Sequence, residues 1–150
     1  NSEGNYDPLN TIFLTSLTDD SRHWHSMMWA LDKVDDTYFR IRNRWPNLDG
    51  SDVYLSRNGV WRESLRRWEP GDTVSLHTLE PDWGSQLWSM ETSDFWGKTY
   101  WRIINSWEPS TGFLMRHSDF NGTRYIPADR LTLYNRHDEW SSQHWSIPTV

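Results

Sequence analysis

The chain contains no cysteine, which excludes both a disulfide framework and a thiolate zinc site. Alanine is almost absent, with Ala30 and Ala128 alone, and no long stretch repeats every 3.6 residues. Helix is therefore not expected to dominate. No apolar run approaches the roughly eighteen residues of a membrane-crossing helix. Basic residues are in deficit: 15 Lys and Arg stand against 21 Asp and Glu, a net charge of −6. Without a basic cluster there is no electrostatic footprint for nucleic acid. A Gly-rich phosphate loop, a G-x-S-x-G elbow and an activated thiol are all missing. No enzyme, cofactor or metal is expected on these grounds.

What the chain has instead is tryptophan, twelve in 150 residues, in a sequence only 35% hydrophobic but 15% aromatic. Burial must rest on a few large rings. Three hexapeptides hold six of them: WHSMMW at Trp24–Trp29, WGSQLW at Trp83–Trp88 and WSSQHW at Trp140–Trp145. Each copy then alternates, as Met27/Trp29/Leu31, Gln86/Trp88/Met90 and Gln143/Trp145/Ile147. Period two predicts a strand with those side chains inward.

A second column lies upstream. Tyr6-x-Pro8-x-Asn10-x-Ile12-x-Leu14 matches Trp68-x-Pro70-x-Asp72-x-Val74-x-Leu76 and Tyr125-x-Pro127-x-Asp129-x-Leu131-x-Leu133. Pro with Asn or Asp makes a turn, and an alternating strand follows. A third column occurs twice, at Thr37–Trp45 and Thr99–Trp107. A weaker fourth pairs Val53-Tyr54-Leu55 with Phe113-Leu114-Met115, trailed by the turn dipeptides Asn58-Gly59 and Asn121-Gly122. Residues 1–10 read as loop, Thr11–Leu17 as a strand and Asp19–Ser21 as a turn. The segment Val60–Arg67 reads as an insertion peculiar to one unit.

The columns divide one domain, residues 1–150, into a half unit (1–36) and two four-strand units (37–98 and 99–150). The missing half unit is expected before Asn1. Asn121-Gly-Thr123 is a glycosylation sequon, meaningful in a secreted protein.

Short strands in units of about fifty residues, each ending in Gln-x-Trp, resemble the ricin B-type β-trefoil family. Gln86-Leu-Trp88, Gln143-His-Trp145 and the strands Tyr38–Asn43 and Tyr100–Asn105 carry the resemblance, and Met27 departs from it. It implies an all-β trefoil whose first repeat is only half present, and a lectin-like, secreted protein that binds a glycan or glycoprotein. The open edge implies a second chain or a homo-oligomer supplying the absent strands. Sugar-binding members use an Asp, a stacking aromatic and small polar residues. The matching positions are Asp52, Ser75, His77, Ser85 and Gln86 in one unit, and Tyr134, Ser142 and Gln143 in the next. Gly112 or Leu114 stands where the second Asp would be. A protein-binding trefoil is the alternative, with Trp61 and Arg66 on the partner. Trp61 and Trp96 belong to no column and are the candidates for exposed, ligand-facing rings. The hexapeptides' first residues, Trp24, Trp83 and Trp140, are expected to pack beneath hairpins, and His23-x-His25 offers two imidazoles without a third ligand.

Overall fold

A computed structural model describes Ile12, Leu14 and residues 24–147. The expectations for the loop at 1–10, most of the strand at 11–17, the turn at 19–21 and His23 lie outside these residues. Eight strands follow in order: β1 (Trp29–Lys33), β2 (Phe39–Asn43), β3 (Val53–Arg62), β4 (Arg67–His77), β5 (Trp88–Phe95), β6 (Lys98–Asn105), β7 (Phe113–Phe120) and β8 (Tyr125–Tyr134). Among the described residues the only helical pieces are single 3₁₀ turns, three of them at equivalent places in the hexapeptides: His25–Met27, Gly84–Gln86 and Ser141–Gln143. The sheet runs β1-β2-β3-β4-β8-β7-β6-β5 and closes through β2–β5, so seven strands form a barrel and β1 adds to its side.

The repeat is visible in the pairing. Trp88 lies opposite Phe39 in its own unit and Asn105 in the next. Trp145 bridges Trp101 of its own unit, and Trp29 lies opposite Asn43 of the following one. The indole N–H of Trp88 donates to the Leu55 carbonyl at 3.0 Å, and that of Trp145 to the Leu114 carbonyl at 2.9 Å. Each junction between units is tied by one asparagine. Asn43 Nδ2 donates to the carbonyls of Ser26 and Met28, and Asn105 Nδ2 to those of Ser85 and Leu87. Their Oδ1 atoms accept from the amides of Trp45 and Trp107. Gly112 has to be glycine here, since a Cβ would sit 2.8 Å from the Asn105 carbonyl oxygen.

The core gathers Ile41, Leu55, Trp88, Leu114 and Leu133, with Ile12, Phe39, Val74, Ile103, Leu131 and Trp145 packed against it. Ile12, Val74 and Leu131 are the aliphatic position of the upstream column, so that column converges on one centre.

Four expectations need correction. The expected inward face of the first hexapeptide is turned outward at its end: Trp29 is 41% exposed and Leu31 44%, whereas Trp88 is 0%. Among the described residues β1 has a neighbour on one edge only, so nothing closes over its ring. The fourth column was slipped by one place. Tyr54 pairs with His77 and Phe113 with Tyr134, which aligns Leu55 with Leu114 and Asp52 with Thr111, neither Gly112 nor Leu114. Asn58-Gly59 is not a turn but lies at a β-bulge in β3, matched by one at His117 in β7. Finally, Val60–Arg67 is not an insertion as a whole: it is the end of the β3–β4 hairpin, which has six residues between the paired Trp61 and Trp68 where the β7–β8 hairpin has four between Phe120 and Tyr125.

A buried arginine locks the second unit to the third. Arg57, 4% exposed, donates to the carbonyls of Gly71, Trp107, Glu108 and Thr111 and to Thr111 Oγ1. Burial without a carboxylate in hydrogen-bond contact pushes its pKa below the usual arginine value, against smaller raising effects from Glu108 and Asp72.

Candidate functional site

Each Gln of the hexapeptides pins the loop before it. Gln86 accepts from the Glu80 amide at 2.9 Å and donates to the Thr78 carbonyl at 2.8 Å. Gln143 accepts from the His137 amide at 2.8 Å and donates to the Asn135 carbonyl at 2.6 Å. Both are 0% exposed. With both ends of the amide engaged, these side chains serve the loop and not the solvent.

The pinned loop folds the hexapeptide's first tryptophan back over the end of the preceding strand. In the second unit Trp83 lies 4.9 Å from His77 at 42°. In the third, Trp140 stacks on His137 at 3.7 Å and 8°, and lies 5.7 Å from Tyr134 at 22°. Tyr134 and His137 are 5.6 Å apart at 24°. Three nearly parallel rings form one platform, with Tyr134 49% and Trp140 37% exposed.

Charges hold the platform's loop to the barrel. Asp138 Oδ1 accepts from Arg102 Nη2 at 2.7 Å and from Arg136 Nε at 2.8 Å. Arg102 is buried and also reaches Glu91 at 3.2 Å. The Arg136 hydrogen bond holds the Asp138 carboxyl below its ordinary value, with smaller help from the charges of Arg136, Arg102 and His144.

The residues of the Asp–aromatic set expected in the second unit have the following surroundings. Asp52 is exposed; the Asp32 hydrogen bond raises the pKa of Arg42 and burial that of Tyr54, and the Asp52 charge adds a smaller upward effect on both. The partner of His77 is Trp83. Ser75 donates to Asn58 Oδ1 at 2.6 Å across the bulge. Ser85 is 8% exposed and lends its carbonyl to Asn105. Ser142 is half-buried beside Gln143. In the third unit the counterpart of Asp52, Thr111, is occupied with Arg57. Trp61 and Arg66 are exposed on the β3–β4 hairpin, Trp61 donating to Glu63 Oε2 at 2.7 Å.

Sequence reasoning missed His137 and Trp140. Their signal was the six-residue step from strand-end aromatic to hexapeptide tryptophan, His77 to Trp83 and Tyr134 to Trp140.

Two other arrangements have chemical interest. Ser93 Oγ lies 2.7 Å from His144 Nδ1, and His144 Nε2 lies 2.8 Å from the Asp138 carbonyl. A carbonyl only accepts, so Nε2 carries a proton, and when the ring is neutral Nδ1 accepts from serine. Such a pair has a nucleophile–base spacing, but Ser93 is 7% exposed. A depression of about 250 Å³ between the β1–β2 turn and Met90 is lined by Leu31, Lys33, Asp35, Tyr38 and Phe39 among others. Among the described residues, no three His, Asp or Glu side chains gather as metal ligands. No helix there is long and apolar enough to cross a membrane.

Compared with protein-family models, curated proteins and solved structures, the chain matches none of them.

Proposed function

We propose that the chain is a ricin B-like β-trefoil that works as a non-enzymatic, carbohydrate-binding module of a secreted protein. The trefoil reading is supported by the equivalent pairing of Trp88 and Trp145 and by the paired asparagine ties at Asn43 and Asn105. The binding reading rests on the Tyr134–His137–Trp140 platform. A sugar ring presents one face of weakly polarised C–H bonds and a rim of hydroxyls. A flat, exposed aromatic face takes the first, and the loop's polar groups at Asn135, Glu139 and Ser142 take the second. One such contact is weak, and affinity comes from repetition on a glycan or glycoprotein.

The test is titration with lactose, cellohexaose, xylohexaose and chitohexaose, followed by the Trp140→Ala variant. Binding of one of these sugars should fall about tenfold or more, on the order of 1.4 kcal/mol, while the melting temperature stays nearly constant. Binding that is unchanged in Trp140→Ala would remove the platform from the reading.

The open edge of β1, outside the closed barrel, belongs to the same proposal. At two junctions an asparagine donates to the carbonyls flanking the Gln or Met of the hexapeptide. Among the described residues, the equivalent carbonyls of Ser142 and His144 and the outer edge of β1 have no such partner. A second chain or a second copy supplying the missing half repeat would give these groups partners, and native mass beside denatured mass tests this. A native particle equal to one chain would count against it.

A second reading has its own observation. Trp61 and Trp68 meet edge to face, 5.7 Å apart at 64°, with Val60 and Leu65 also exposed. Trp and Arg dominate the energetics of protein interfaces, so the hairpin with Arg66 supports a protein-binding module. Trp61→Ala separates the two readings, since it spares sugar binding and weakens a protein complex.

A further inference from the structure

The turn joining β5 to β6 breaks the usual rules of turn chemistry. Phe95 pairs with Lys98, leaving Trp96 and Gly97 as a two-residue loop. Their φ angles are +51° and +77°, the signature of a type I′ turn, whose preferred residues are Asn-Gly. Glycine fits the second place. Tryptophan in the first carries the left-handed strain that a side chain with a Cβ meets there. Nor does the ring repay that strain by packing inward, because Trp96 is 91% exposed. A residue that is neither comfortable in its backbone nor buried in its side chain is one that stability alone does not select.

The ring nonetheless has an ordered neighbour. Trp96 stacks on Phe95 at 5.5 Å and 10°, and Phe95 stacks on His144 at 4.4 Å and 18°. Tyr100 braces both Phe95 and His144 edge-on, at 6.3 Å and 6.1 Å. His144 is fixed in turn by Ser93 and by the Asp138 carbonyl. The Phe95 contact is offset, and with 91% of the residue exposed the indole keeps its faces largely open.

The surroundings choose the ligand. Asp94, Gly97, Lys98 and Thr99 around the tip are all exposed, and all are polar or without a side chain. These four tip residues form no apolar patch of the kind that a protein interface or a bilayer surface would require. Asp94 accepts from Thr99 through Oδ1, while Oδ2 and the Lys98 ammonium have no partner among the described residues. An open aromatic face on a hairpin tip that also carries polar side chains is what a sugar ring needs.

We infer that the open face of Trp96, on the hairpin side that Phe95 shares with Lys98, is a second carbohydrate-stacking site, separate from the Tyr134–His137–Trp140 platform. It rests on the carbohydrate reading above for its ligand class, but on different residues for its geometry.

The test is Trp96→Asn, studied beside Trp140→Ala with the same four saccharides and with the indole N–H resonances followed during titration. Asparagine suits the turn, so the melting temperature should hold or rise by about 2–4 °C. The Trp96 indole signal should move in the parent chain, and overall sugar affinity should fall about tenfold in the variant. A higher melting temperature with lost binding is a pairing that a merely structural Trp96 does not produce. Unchanged affinity in Trp96→Asn, or a Trp96 signal that stays still, overturns the inference even where Trp140→Ala abolishes binding. Loss in Trp96→Asn alone sustains it and removes the platform instead. Absence of binding to all four saccharides in the parent chain overturns both.

Discussion

Trp29 and Trp88 hold the same place in the same hexapeptide, yet one is 41% exposed and the other 0%. Their strands begin alike and their junction asparagines make the same bonds. The difference is what stands on the far side. Trp88 has Phe39 opposite it on one edge, Asn105 on the other, and an indole bond to Leu55 beneath. Trp29 has Asn43 on one edge alone among the described residues. Burial is thus a property of the neighbours a motif meets, not of the motif.

The widest gap between the two should appear on truncation. Trp88→Ala removes a fully buried ring from the core and should cost about 4 kcal/mol. Trp29→Ala should cost under about 1 kcal/mol. Urea unfolding of both variants checks the pair. Equal costs would mean that Trp29 is covered in solution, as a supplied strand would do.

The asparagine ties sharpen the comparison from the other direction. Asn43 is 4% exposed and Asn105 0%, and both bind two carbonyls and one amide. Alanine at either leaves buried backbone groups unpaired and should cost about 2–3 kcal/mol. The two values should agree within about 0.5 kcal/mol, although the neighbouring tryptophans differ by far more. Unequal values would show that the first junction is already loose.

Gln143→Met copies into the third unit what Met27 does in the first. The replacement keeps bulk but deprives the His137 amide and the Asn135 carbonyl of their partners, at about 1–2 kcal/mol. Because those atoms hold the loop that carries Trp140, sugar affinity should weaken more than stability does. Calorimetric titration beside a thermal melt measures both. Affinity that follows stability without excess would leave the glutamine with a role in folding alone.

How far the sequence could lead is clear from these same residues. The Gln-x-Trp columns, the Ile12/Val74/Leu131 column and the all-β character were legible because period-two alternation depends on near neighbours. The exposure of Trp29 was not, since it depends on strands far away in sequence. Arg57 was invisible for a related reason: four of its five acceptors are backbone carbonyls, which carry no sequence signature. Asn58-Gly59 misled because the same dipeptide that makes a turn also accommodates a bulge. At the candidate site Tyr134 and Gln143 stood out by position, whereas His137 and Trp140 emerge only when the pinned loop brings them together. Asp52 matched a pattern, but its unit joined His77 to Trp83.

The smallest effect separates the two short hairpins by the way each turn is held. The β1–β2 turn depends on a charge: Asp35 Oδ1 accepts from the amides of Thr37 and Tyr38 at 2.8 and 2.7 Å. Those bonds, that of Tyr38 first, hold its carboxyl below the ordinary value of 3.8. A carboxyl depressed in the folded state stabilises fully above its unfolded value and loses that contribution as pH falls through the folded one. The β5–β6 turn is held by backbone geometry at Trp96 and Gly97, with no carboxylate on its amides among the described residues. Below pH 3.8, therefore, amide protection at Thr37 and Tyr38 should decline before that at Lys98, measured by hydrogen exchange referenced to each amide's intrinsic rate. Asp35→Asn should reproduce the loss at neutral pH and flatten the acid response of the first turn only. Parallel decline at both turns would mean that acid opens the barrel as a whole, and that the two hairpins share one stability rather than two.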